Sequence, residues 1–77
     1  MKNIIEINEA LGNAKSFATE NSGDASPDTV EEIQSLLSLA LAKAKDNDID
    51  GVASALDEID AQNVNGWDLT SAVRSLL

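Results

Sequence analysis

This chain of 77 residues has no cysteine, no histidine and no tyrosine, and only one proline, one phenylalanine and one tryptophan. Without cysteine, disulfides and thiolate zinc sites are excluded. Without histidine, the commonest general base and the commonest metal ligand are gone. Cations are scarce as well: five Lys and Arg stand against fourteen Asp and Glu, a formal net charge of −9, with an isoelectric point near 4.1. That balance argues against nucleic acid and anionic membranes as direct partners, since both are polyanions that reward Lys and Arg. No stretch approaches the ~20 apolar residues a membrane helix needs. The opening Met1 to Glu6 lacks the apolar core of a signal peptide, so the chain reads as soluble and cytoplasmic.

Hydrophobic residues make up 43% of the chain, the proportion of a globular protein rather than a disordered one. The length suits one domain, residues 1–77, with a folded surface of roughly 4,500 Å². Ile4, Ile7, Leu11, Ala14 and Ala18 recur at spacings of three and four with Phe17 beside them, which predicts a helix over about 4–20. Gly12 weakens it, and Asn8 before Glu9 offers a later start. Ser26-Pro27-Asp28 then combines a good N-cap, a proline suited to the first helical position and an acid at the positive end of the dipole. The stripe Val30, Ile33, Leu37, Leu41 and Ala44, widened by Leu36 and Ala40, carries a second helix over 27–45 that ends in Lys43 and Lys45. A tight Asp46-Asn47-Asp48 connection leads to a third helix over 49–60, apolar at Ile49, Val52, Ala55, Leu56 and Ile59. After a loop, Leu69, Ala72, Val73, Leu76 and Leu77 mark a last helix over 67–77. No run alternates with period two, so no strand is expected. Four short helices, each apolar on one side, must bury those sides against one another in an all-α bundle.

Three patterns could carry chemistry. Asp46, Asp48 and Asp50 fall at the first three ligand positions of an EF-hand calcium loop, with Gly51 at its sharp turn and Asp57 at position twelve. Position twelve should be Glu, and no sister loop exists. The plainer reading makes Asp48 an N-cap and Asp50 a first-turn acid. The second pattern is Ser26 within Gly23-Asp24-Ala25-Ser26-Pro27-Asp28-Thr29-Val30-Glu31. Length, acidity and four helices look like the acyl carrier proteins, whose modified serine opens an acidic second helix. That resemblance implies a phosphopantetheine arm on Ser26. The family places Asp before the serine and a bulky apolar residue after it, where this chain has Ala25 and Pro27, so Ser26 reads first as a cap.

The third pattern is the strongest. Asp46, Asp48, Asp50, Asp57, Glu58, Asp60 and Asp68 put seven acids in one segment with no Lys or Arg, while the other seven share the remaining chain with all five bases. Asp57, Asp60 and the loop acids are expected to project from the solvent side of the third helix. Averaged over the surface, the acids are about threefold sparser than duplex DNA, at roughly one per 320 Å² against ~110 Å². Only this segment could approach a local mimic of nucleic acid. Trp67, beside it, either closes the open end of the bundle or stands out as an interface anchor. The expectation is a non-enzymatic module, adaptor or inhibitor in type as some small acidic phage proteins are. It would dock Asp46, Asp48, Asp50, Asp57, Glu58, Asp60, Trp67 and Asp68 on a basic protein surface, one that itself binds nucleic acid included. No catalytic residue, cofactor or metal is expected under that reading. The Leu76-Leu77 end leaves a homodimer open.

Overall fold

The computed structural model describes residues 3–77; Met1 and Lys2, the start of the stretch read above for a signal peptide, lie outside them. Its elements run α1 (Ile4–Glu20), a 3₁₀ turn (Ser22–Asp24), α2 (Pro27–Lys45), α3 (Ile49–Gln62) and α4 (Ser71–Arg74). There is no strand among the described residues, and the all-α bundle expected from the periodicity is the fold. None of its helices is long and apolar enough to cross a membrane.

α2 is the central element, packed against both α1 and α3, while α4 leans on α1. Neighbouring long helices are antiparallel. Lys15 Nζ donates to Ser38 Oγ at 2.7 Å and Gln34 Nε2 donates to Thr19 Oγ1 at 2.8 Å, so positions rise along α1 as they fall along α2. α3 turns back along α2 from Lys43 and Asp48 at one end to Ile33 and Ile59 at the other. α1 and α3 therefore end at the same end of a rod of 37 × 16 × 16 Å. The core is drawn from the stripes read from the sequence, with Ile7, Leu11, Ile33, Leu37, Val52, Leu56 and Val73 sealed from solvent, while Leu41 and Ile49 are half-buried at its edge and Val30 lies outside it. Each such side chain contributes about 1.5–3 kcal/mol by burial.

Helix ends account for most of the differences from expectation. α1 runs over Ile4–Glu20 as expected rather than from the later start offered at Asn8, because Asn3 Oδ1 accepts from the Glu6 N–H at 3.1 Å and caps it. α3 continues to Gln62 because its terminator is Asn63, which takes a left-handed conformation at φ 49°. The largest correction is the last helix, expected over 67–77 and found only over Ser71–Arg74. Asp68 Oδ1 accepts from the Ser71 N–H at 3.1 Å, which sets the first helical turn there and leaves Trp67 and Leu69 outside it. Ala72, expected inward, is exposed as a result, while Leu69 and Val73 are buried.

The connection between α2 and α3 is built twice over. Asn47, at φ 60°, lets its own N–H reach the Ala44 carbonyl at 3.0 Å and the Asp48 N–H reach the Lys43 carbonyl at 2.8 Å, a Schellman termination. Asp48 Oδ1 then accepts from the Gly51 N–H at 2.9 Å and opens α3. Gly51 leaves room for that cap: a Cβ there would stand 2.5 Å from Asp48 Oδ2 and 2.8 Å from Lys43 Cδ, so those side chains would have to shift.

Candidate interaction surface

The acids of the 46–68 segment form two groups rather than one. Asp46, Asp48 and Asp50 lie at the α2–α3 connection; Asp57, Glu58, Asp60, Trp67 and Asp68 lie toward the other end. Ten residues of helix, about 15 Å, separate Asp50 from Asp60. In the first group Asp46 and Asp50 are exposed. Asp48 is half-buried, committed to its cap, and 3.8 Å from Lys43 Nζ. The calcium loop over 46–57 is not formed, because Ile49 to Asp57 are helical and Asp48 is spent on starting that helix. Asp46, Asp48, Asp50 and Asp57 do not converge, and no three acids gather as a metal would need among the described residues.

In the second group the solvent-facing acids are exposed as expected, but two of them are not free. Arg74 Nη2 lies 2.8 Å from Asp57 Oδ1 and 2.8 Å from Asp60 Oδ2. The other oxygen of Asp60 accepts from the buried Thr70 hydroxyl at 2.7 Å. This network ties α4 to α3. Hydrogen bonds to the two aspartates hold the Arg74 guanidinium above its ordinary pKa. Bonds from the Ser71 hydroxyl and N–H hold Asp68 below the ordinary carboxylate range. Arg74 was missed because it lies beyond the acid run, and its only sequence mark is that it is the single arginine.

Trp67 closes the end of the bundle. Val64 to Trp67 form a turn, with the Trp67 N–H on the Val64 carbonyl at 3.1 Å and Gly66 at φ +84°, a conformation that favours glycine. The half-buried indole meets Phe17 edge to face, with centroids 5.7 Å apart at 85°, and its Nε1 donates to Asp24 Oδ2 at 3.4 Å. Phe17, 40% exposed, is thus part of this surface rather than core. Ile33, Ile59, Val64, Trp67 and Leu69 wall a cleft of about 280 Å³, with Asp60 and Asn63 at its polar side.

Ser26 caps α2: its Oγ accepts from the Thr29 N–H at 3.3 Å and donates to Thr29 Oγ1 at 2.8 Å. Asp46, Asp50, Glu58 and Asp68 are exposed, and none has a Lys or Arg nitrogen within 4.0 Å among the described residues. The class these features define is a small acidic helical bundle with one aromatic-walled end. No protein-family model matches the chain, and no curated protein and no solved structure is significantly similar to it.

Proposed function

We propose that this protein is a non-enzymatic interaction module that lays the acidic side of α3 on a basic surface of a partner protein. Where that partner binds nucleic acid, the module occludes its site. The observation that carries the reading is the unpaired charge: Asp46, Asp50 and Glu58 are exposed along α3 and its entry, with only Lys43 and Arg74 offsetting neighbouring acids among the described residues. Such one-signed surfaces raise encounter rates with a complementary partner and set orientation more than they add to affinity. A chain without His, Cys or Tyr has few groups suited to acid–base or nucleophilic work.

The test avoids the residues that hold α4. Asp46→Lys with Glu58→Lys swings four units of charge and leaves the Asp57–Arg74–Asp60 network intact. Both lysines fall near helix carbonyl ends, where a cation is favourable. Glu6→Lys with Glu9→Lys makes the same change on α1, at exposed positions away from its carbonyl end. With the partner captured from native lysate, the first pair slows association about tenfold at ~10 mM salt while the second does much less. Equal losses would mean that net charge alone matters, and no loss from either pair would remove the docking role.

A further inference from the structure

We infer that the cleft beneath Trp67 receives an arginine side chain from the partner, flanked by apolar residues. The inference rests on the acidic-docking reading and adds the anchor point. Three independent observations converge on this end of the rod.

The first is shape. The cleft holds about 280 Å³ between Ile33, Ile59, Val64, Trp67 and Leu69. That lies just under the ~300 Å³ at which small-molecule pockets begin and leaves room for one long side chain. Its walls are aliphatic and aromatic on one side and polar at Asp60 and Asn63 on the other, which suits an occupant with both an apolar stem and a polar head.

The second is the missing positive charge. α1 and α3 both end here, and neither has a basic residue in its last turn. α2, which ends at the far end, has Lys43 and Lys45 in its last turn. Carbonyl ends of helices favour cations within a turn; at α3 Arg74 already sits on Asp60 of the last turn, whereas the α1 end, beside Trp67 through Phe17, is met only by the neutral amide of Asn21 on the Phe17 carbonyl. The positive helix ends there, those of α2 and α4, are already met by the Ser26 hydroxyl and Asp28 and by Asp68.

The third is the placement of carboxylates. Asp60 stands in the cleft wall with its two oxygens already on Arg74 and Thr70, so the carboxylate open to a newcomer is Asp24, on the edge of the indole through Trp67 Nε1. Arg74 offsets only one charge of the Asp57–Asp60 pair that it bridges, so this end of the rod keeps a net negative charge. A cation with an apolar stem beside an indole is the setting in which arginine exceeds lysine, because its planar guanidinium stacks on aromatic rings and sheds water more readily. A neutral apolar group would meet the apolar walls and leave Asp24 and the α1 carbonyl end unmatched.

The test is a ¹H–¹⁵N NMR titration of the intact protein with acetyl-Leu-Arg-Leu-amide, with the same peptide carrying citrulline, and with octalysine. Citrulline keeps the shape of arginine and removes its charge. The arginine peptide is expected to move the Trp67 indole N–H and the Val64 and Leu69 amides, and to bind about tenfold more tightly than the citrulline peptide. Asp24→Asn, which keeps an acceptor for the indole, should narrow that ratio. Equal binding of the two peptides, or shifts that leave Trp67 and Leu69 unmoved, would overturn the inference. Octalysine separates the two claims. If it moves Asp46, Asp50 and Glu58 while the arginine peptide fails, the cleft is wrong and the acidic docking side stands; if neither peptide binds, both fall.

Discussion

Arg74 holds two aspartates through a single nitrogen, and Asp68 holds the start of α4 through a single oxygen. Both are exposed, so water screens them and their role is to position the last segment rather than to supply much energy. Asp68 still leaves a signature in pH. Its folded carboxyl titrates below the ordinary value of 3.8 because Ser71 bonds favour the charged form. The stabilisation is therefore complete above that value and is lost as pH falls through and below it. Asp68→Asn keeps an acceptor oxygen but not the charge. Its urea midpoint should lie below wild type at pH 6, and the gap should close as pH drops under 3.8; a gap that is constant from pH 6 to ~2.5 would contradict the assignment.

At the scale of elements, glycine position separates space from propensity. Gly12 lies inside α1 with nothing near its Cβ direction, so Gly12→Ala should stabilise by about 0.5–1 kcal/mol, read as a higher denaturant midpoint with unchanged slope. Gly51→Ala has the same propensity gain but drives a methyl into the capping carboxylate of Asp48 and the stem of Lys43. Losing the cap costs about 1 kcal/mol, so that variant should gain nothing. The capped ends are what the sequence made legible: Ser26, Pro27 and Asp48 act over three residues or fewer, and the apolar stripes repeat within one helix. What stayed hidden acts across the chain. Asp24 and Trp67 are separated by 43 residues, and Arg74 reaches back 17 to Asp57 and 14 to Asp60. Such contacts follow from how helices are arranged, which no local pattern encodes. The shortened α4 belongs to the same class, because an Asx turn at Asp68 competed with a helix that periodicity alone would start at Trp67.

For the whole molecule, fourteen acids against five bases lie on a rod whose extents are 37 × 16 × 16 Å. At ~10 mM salt the screening length is about 30 Å and most like charges repel one another; at ~150 mM it is about 8 Å and only neighbours interact. Folding gathers these charges, so screening should favour the folded state. If it returns about 1 kcal/mol, the melting temperature should rise by roughly 4–8 °C across that range. A fall would mean that the Lys43 and Arg74 pairs outweigh the general repulsion. The sign bears on function as well, because salt that strengthens the fold weakens encounter with a basic partner.

Asp48 ends one helix and starts the next with a single residue, which has a consequence for the order of assembly. A turn of three residues between α2 and α3 brings together positions close in sequence, and closing it costs little chain entropy. Trp67 meets Phe17 and Asp24 only after most of the chain has been threaded into place, and contacts of long separation form slowly. The α2–α3 hairpin is the natural nucleus of the fold. The aromatic-walled end, held by contacts of long sequence separation, should form after it.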